Sequence, residues 1–392
     1  MSGDFLPYGR QSIGDDDIAE VAAALRSDFL TTGPLVEKFE HALAEATGAA
    51  HAVVCNSGTA ALHLAALAAE LKEGDAAVVP ALTFLATANA VRMTGAEVIF
   101  ADVDADTGLL TPETLRDALA RGKASGRKIR AVLPVHLNGQ VCDMAALKNS
   151  APEGTVFIED SCHALGEDRI GATENSFAAC FSFHPVKAIA TAEGGAITTR
   201  DPKAAERMRA LRSHGMIREP AAFTERELAF DGNAPNPWYY EMQEIGWNYR
   251  LPDVLCALGI SQLKKLPGFV RRRRELAALY DKALAPFAPL LKPVPHGKHP
   301  HGWHLYAVLI DFKTLGTTRA KFMNALRAEG IGSQVHYLPV SSQPYYRERY
   351  GAQTLPGADA YYARCLSLPL FPSMRDEDVS RVTAALEKLV RR

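Results

Sequence analysis

Four short segments of the chain carry residue types that can do chemistry, and each falls where a buried strand is expected to end. Asn56-Ser57-Gly58-Thr59 separates the run His51–Cys55 from an Ala-rich helical run starting at Ala60. A turn of small residues at a helix N-terminus offers free backbone N–H groups and the positive end of the dipole to a phosphate, and Thr59 adds a hydroxyl. Taken alone, an ordinary Ser/Thr cap is the better explanation of this turn. Asp160 follows the run Thr155–Ile158, at the carboxyl end of an expected parallel strand, where open α/β sheets bind ligands. A carboxylate there can hold a ring nitrogen protonated, so that the ring withdraws electrons. A loop-capping Asp explains the residue equally well. Lys187 lies in FSFHPVKAIATAEGGA, and Glu174 is the one Asp, Glu, Lys or Arg between Gly171 and Val186. An amine held away from water loses basicity and can attack a carbonyl to give a Schiff base, and Ser182 adds a second hydroxyl for phosphate. A lone Lys in a loop is usually a solvated charge, a reading that these small and apolar neighbours weaken. Phe84, in ALTF, can stack on a planar ring, although by itself it reads better as a core residue. A phosphate cradle, a stacking ring, a pyridinium acid and a nucleophilic lysine together compose a site for pyridoxal phosphate. The set is far more specific than any member.

Such a set needs a scaffold that gathers strand ends. Short apolar or β-branched runs at His51–Cys55, Ala76–Pro80, Glu97–Ala101, Arg130–Val135 and Thr155–Ile158 alternate with helical segments at Leu35–Ala46, Ala60–Leu71, Leu85–Met93 and Thr111–Leu119. The alternation predicts an α/β fold with a mostly parallel sheet and helices on both faces. Two further strands are expected between Ala178 and Thr199, and a helix over Lys203–Leu211. Gly215 to Trp247 is polar, rich in Pro and aromatics, and without periodicity, as functional or interface loops are. Pro252–Leu266 and Val270–Leu284 read as two helices broken at Pro267. Then come a strand over His304–Phe312, a helix over Arg319–Glu329, a strand over Gly332–His336 and helices near 356–365 and 375–390. The predicted organisation is a large cofactor domain over residues 1–250 and a smaller C-terminal α+β domain over 251–392.

Composition narrows the class. The 392 residues are 47% hydrophobic and 22% charged, and 43 Lys+Arg against 45 Asp+Glu leave a formal net charge of −2. Nothing in that balance favours nucleic acid or an anionic membrane as a partner. The six cysteines include no C-x-x-C pair, the N-terminus has no signal-peptide pattern, and the most apolar stretch, Ala60–Leu71, is too short to span a bilayer. A reduced, cytoplasmic enzyme is expected. His296, His299, His301 and His304 have metal-like spacing, but no acidic residue or Cys among them completes a set, so a solvated loop is the better reading and no metal is expected. The basic run Lys264, Lys265 and Arg271–Arg274 reads as a solvated helix face. His136, His214 and His336 are single histidines that read more readily as structural. His336 and Tyr337 rank first among substrate contacts, because the C-terminal domain would meet the cleft there. His184 reads as a positioning residue near the substrate.

The runs FLTTGPLVEKFE, NSGTAALHLA, PALTFLATANA, PVHLNGQ, EDSCHALG, FSFHPVKAIATAEGGA, RSHGM and GWNYRLPDVLCALGISQL carry a resemblance. Over essentially its whole length the chain resembles the DegT/StrS sugar aminotransferases, which have the aspartate-aminotransferase fold, type I of the pyridoxal-phosphate enzymes. The resemblance implies that Lys187 binds the cofactor covalently and that Asp160 pairs with its ring nitrogen. Gly58, Thr59 and Ser182 would hold the phosphate, Phe84 would stack on the ring, and His163 would lie near the phenolic oxygen. Asn248 would reach the phosphate of a neighbouring subunit, which makes the chain a homodimer with shared sites. L-Glutamate is the implied amino donor and a nucleotide sugar the acceptor. HALG, FSFH-x-x-K with TAEGGA, RSHGM, WYYEMQEIGWNYR and Val335–Val340 look most like the PseC type, which aminates a UDP-linked 4-keto-6-deoxy-N-acetylhexosamine on the route to pseudaminic acid. Perosamine-type and aminoarabinose-type transaminases, which act on other 4-keto nucleotide sugars, remain the alternative. A cofactor-binding regulator of the same fold would need a DNA-binding appendage, and the chain has no extra domain or basic surface for one. One branch of the family carries histidine in place of the lysine and dehydrates sugars; Lys187 points to transamination. Cys162 stands where Ser or Ala is common, and Asn138 replaces a frequent aromatic.

Overall fold

The computed structural model describes residues 5–168, 170–296 and 301–391. Seven strands form the central sheet: β1 (His51–Cys55), β2 (Asp75–Pro80), β3 (Glu97–Ala101), β4 (Lys128–Val132), β5 (Val156–Asp160), β6 (Ala178–Ser182) and β7 (Gly195–Thr199). Their order is β1-β7-β6-β5-β4-β2-β3, and every neighbouring pair is parallel except those that β7 makes with β1 and β6. The expected α/β architecture is therefore what forms. Helices α1 (Asp15–Leu25), α2 (Pro34–Thr47), α3 (Gly58–Ala68), α4 (Leu85–Met93), α5 (Pro112–Ala124) and α6 (Met144–Asn149) precede or connect these strands, and α7 (Pro202–Leu211) follows the last of them.

The strands are continuous apolar runs because both faces of the sheet are covered. In β2, Ala77 and Val79 pack with Leu62 and Leu64 of α3, while Ala76 and Val78 pack with Leu115 and Ala118 of α5. In β1, Val53 and Cys55 join the α3 side, and Ala52 and Val54 meet Phe39 and Leu43 of α2. The polar stretch after α7 holds small ribbons around a short helix α8 (Arg226–Ala229): β8 (Met216–Ile217) pairs with β11 (Glu241–Met242), and β9 (Phe230–Asp231) with β10 (Ala234–Pro235).

Two expectations are corrected in the C-terminal part. Residues 253–284 form one helix, α9 (Asp253–Leu284), with Pro267 inside it. A proline in a helix interior costs about 3 kcal/mol, and burial on both sides offsets it. Cys256, Leu263 and Leu266 sit in the core with Phe39 and Leu43, whereas Leu276, Ala277, Tyr280 and Leu284 sit in the C-terminal core. No strand forms over 332–336. Those residues make single bridges instead, because the N-terminal segment competes for their backbone: the Gly332 N–H donates to Leu6 O at 2.7 Å and the Leu6 N–H to Gly330 O at 2.9 Å. The C-terminal sheet is β12-β13-β14, from β12 (Leu291–Pro293), β13 (Tyr306–Ile310) and β14 (Cys365–Leu368), all antiparallel. Helices α10 (Arg319–Ala328), α11 (Pro344–Tyr350), α12 (Pro356–Arg364) and α13 (Asp376–Val390) complete the unit. Among the described residues, no helix is long and apolar enough to cross a membrane.

Candidate active site

A cavity of about 560 Å³ opens at the carboxyl ends of β1, β2, β5 and β6, where a parallel sheet collects its loops. After β1, Ser57 caps α3: its hydroxyl accepts the Ala60 N–H at 3.1 Å. The cap leaves the amides of Gly58 and Thr59 at the open helix end, facing the cavity they line. The turn is packed too tightly for larger residues. A Cβ on Gly58 would come within 2.8 Å of Ser182 Cβ, and one on Gly195 within 2.4 Å of Ser57 O. These amides, with the hydroxyls of Thr59 and Ser182, are the donor set that a phosphate group requires.

After β2, Thr83 and Phe84 lead into α4, and Phe84 is 55% exposed on the cavity wall. Asp160 ends β5 and is 6% exposed. Its Oδ2 accepts the Thr87 hydroxyl at 2.6 Å, and its Oδ1 the Cys162 N–H at 3.2 Å. Beyond β6 a turn closed by the Lys187 N–H on His184 O, at 2.8 Å, presents the partly buried Lys187 to the cavity. Burial lowers the proton affinity of the Lys187 amine, opposed by the negative charges that Cys162 and Asp160 can carry.

His163 is buried behind this floor. Its Nδ1 accepts the Asn138 N–H at 3.3 Å, so the neutral ring carries its proton on Nε2, 3.1 Å from the Tyr337 hydroxyl. Burial first, and the Lys187 charge second, hold this imidazole well below its usual range. His336 is equally desolvated, with its proton affinity pushed down to about 3, and its Nδ1 lies 2.8 Å from Ser367 Oγ. The exposed His184 completes the predicted residues of the wall.

Ten of the expected site residues, Gly58, Thr59, Phe84, Asp160, His163, Ser182, His184, Lys187, His336 and Tyr337, thus line one cavity. Asn248 does not. Its backbone bridges to Ser213, and its carbonyl accepts the Asn56 side-chain N–H at 3.4 Å. Thr83, Thr87, Tyr8 and His304 carry further polar groups into or beneath the cavity and were not expected. The spacing of Thr83 and Thr87, four residues apart astride a helix start, is the signal that could have found the first two.

The basic run is not a solvated face throughout. Arg273 is 1% exposed, and its guanidinium donates to the carbonyls of Trp303, His304 and Leu370. Lys265 pairs with Asp16 and Asp17, and Arg272 with Glu275 and Asp376. The histidine run also divides. His296 pairs with Asp281, His301 stacks on Trp303 with ring centres 4.0 Å apart, His304 turns into the cavity, and His299 lies outside the described residues. Among the described residues, no three His, Cys, Asp or Glu side chains gather as metal ligands.

The chain is similar to known proteins over nearly its whole length. The spore coat polysaccharide biosynthesis protein SpsC of Bacillus subtilis (strain 168) is 40% identical over 395 residues, covering 99% of this chain and 97% of SpsC. Helicobacter pylori PseC, described as an aminotransferase involved in the biosynthesis of pseudoaminic acid, superposes with a TM-score of 0.86 at 29% identity, covering 99% of both chains. The PLP-form of Spr1654, a sugar aminotransferase homologue from Streptococcus pneumoniae, gives 0.86 at 26% identity and the same coverage. Residues 11–387 match the model of one family, and with it the cavity acquires its class: the chain belongs to the DegT/DnrJ/EryC1/StrS aminotransferase family.

Proposed function

We propose that this sugar aminotransferase uses pyridoxal phosphate to move an amino group from L-glutamate to the C4 ketone of a UDP-linked 4-keto-6-deoxy-N-acetylhexosamine. The observation that carries the reading is the convergence of Lys187, Asp160, Ser182 and the Ser57–Thr59 turn on one cavity. The residues fit the cofactor. The turn and Ser182 offer N–H and O–H donors to the phosphate, in a cradle too tight for a side chain on Gly58. Asp160 offers an acceptor to the ring nitrogen, and Phe84 a flat face. When bound, pyridoxal phosphate supplies an electron-withdrawing ring that takes up the charge left when a substrate carbon loses its proton.

The protein's own groups do the rest. Burial weakens the hold of the Lys187 amine on its proton, so it can carry a proton to and from the reacting carbon and, by the face it occupies, set the configuration of the new amine. Tyr337 and His336 close the cavity from the C-terminal unit and shield the reacting groups from water. The PseC resemblance supports the choice of sugar. A second reading, the same chemistry on another 4-keto nucleotide sugar, is favoured by the identity with SpsC, a protein named for spore coat polysaccharide biosynthesis.

The enzyme acts as a homodimer in this proposal, with Asn248 reaching its partner's phosphate. The exposed side chains of Trp238, Met242 and Ile245, near Asn248 in the chain, supply an apolar surface for a second copy to cover. All six cysteines are free thiols, in keeping with a reducing cytoplasm. The test is the absorption spectrum of purified protein before and after L-glutamate, followed by a panel of 4-keto nucleotide sugars. A visible cofactor band that is lost on adding L-glutamate, and is absent from Lys187→Ala, is expected. A protein that takes up no cofactor, or a Lys187→Ala variant with wild-type turnover, would overturn the reading.

A further inference from the structure

Asp160 is held by more than its place on the sheet. Thr87 is the third residue of α4 and is fully buried, and its hydroxyl donates to Asp160 Oδ2 at 2.6 Å. The Phe84 carbonyl, at 3.3 Å, is the competing acceptor, and both the shorter distance and the charge favour Asp160. A hydroxyl has one proton to give. With that proton committed to Asp160, the 2.6 Å contact between the Thr87 and Thr83 hydroxyls must run from Thr83 to Thr87. Thr83 is 1% exposed. The result is a one-way chain from Thr83 to Thr87 to Asp160, each donor strengthening the next. The Cys162 N–H donates to the other oxygen, so both contacts are of the kind an anionic acceptor receives. The N-terminal turn of α4 adds the positive end of its dipole on the same side. The other titratable groups whose charge is felt between them and Asp160 are Lys187, Cys162, Cys180 and Tyr337.

We propose that Thr87, oriented by Thr83, is the positioning residue that aims the Asp160 carboxylate at the ring nitrogen of the cofactor and so keeps that nitrogen protonated. The proposal rests on the reading of Asp160 as the ring-nitrogen partner. Thr87 touches neither cofactor nor substrate. It acts by removing the rotational freedom of the carboxylate and by occupying Oδ2, so that Oδ1, which takes the Cys162 N–H at 3.2 Å, offers its remaining lone pair to the ring N–H. The family resemblance marks Asp160 and gives no role to either threonine.

The test uses holoenzyme reconstituted with pyridoxal phosphate carrying ¹⁵N in the ring, whose chemical shift reports the proton on that nitrogen directly. Wild type and Thr87→Ser, which keeps the hydroxyl, are expected to show a protonated ring nitrogen at neutral pH. Thr87→Val, of nearly the same shape, is expected to lose part of that signal and to slow the reaction with L-glutamate about ten-fold, the loss of one charge-assisted hydrogen bond. Thr83→Val should move the signal the same way by less, and it carries the test should Thr87→Val fail to fold. A Thr87→Val or Thr83→Val ring signal identical to wild type would overturn the proposal. Asp160→Asn separates the two levels: an unchanged ring signal there would remove the role of Asp160 itself, and the proposal with it.

Discussion

The Tyr337 hydroxyl lies 3.1 Å from His163 Nε2, joining the C-terminal unit to the end of the central sheet across the cavity. The Asn138 N–H on Nδ1 makes the imidazole the donor in this pair, so the phenolic proton of Tyr337 is left to point at whatever the cavity holds. Tyr337→Phe should therefore reduce kcat/KM for the keto sugar about ten-fold, a typical value for one buried hydrogen bond, while the protein still binds pyridoxal phosphate. Steady-state kinetics beside a cofactor titration would check this, and unchanged kinetics would show that the phenol meets no substrate acceptor.

Asn248 does not line the cavity that holds Lys187 of its own chain, and mixing two impaired variants decides whether it serves a partner's. Lys187→Ala damages its own site, whereas Asn248→Ala damages its partner's if the site is shared. Refolding an equal mixture should restore about a quarter of wild-type activity, since half the dimers are mixed and each carries one intact site. No recovery would place Asn248 in its own subunit's chemistry or in none.

Buried imidazoles make the fold acid-sensitive. Burial depresses His301 and His336 to about 3, and His163 and His304 well below the ordinary range. In the unfolded chain each regains a pKa of about 6.5. Because the folded values are the lower ones, the unfolded state binds more protons between pH 6.5 and 3. The contribution of these four histidines is complete above this window and falls as pH drops through it, by up to about 1.4 kcal/mol per histidine per pH unit, against the opposite slopes of Glu167, raised to about 7, and His136, raised to about 10. Urea midpoints of the cofactor-free protein should decline steadily from pH 7 to pH 5, and His301→Gln, outside the cavity lining, should flatten the slope. A constant midpoint over that range would contradict the burial argument.

The tightness of the phosphate turn can be tested by one methyl group. Gly58→Ala drives a Cβ to 2.8 Å from Ser182 Cβ, closer than packed carbons tolerate, so α3 or β6 must shift. Cofactor affinity should fall at least about ten-fold, roughly 1.4 kcal/mol, while overpacking lowers the stability of the cofactor-free protein by about 1–3 kcal/mol. Equilibrium dialysis with pyridoxal phosphate would measure it; wild-type affinity would mean that the turn does not hold the phosphate.

Elements buried on two faces were the most legible in the sequence. β1 and β3 begin and end at the expected residues, because unbroken apolar runs between turn residues leave little choice of boundary, and α4, an amphipathic helix, also keeps its expected bounds. The site was legible for the same reason, as its key side chains stand at strand ends. What escaped notice depends on contacts distant in sequence. Tyr8 and His304 reach the cavity from the N-terminal segment and the C-terminal unit. Arg273 hid inside a run of arginines, although it stands in step with Leu266, Val270, Ala277 and Tyr280 on the buried stripe of α9. Pro267 was read as a break because local propensity was weighed without the two cores that grip the helix on either side of it.

That grip governs motion as well as stability. A 32-residue rod anchored in both hydrophobic cores works as an axle welded at each end, and it denies the molecule a hinge between its halves. On the proposed function, the sugar substrate is then admitted by the loops and side chains around the mouth, such as Phe84 and His184, which line the cavity at its exposed edge.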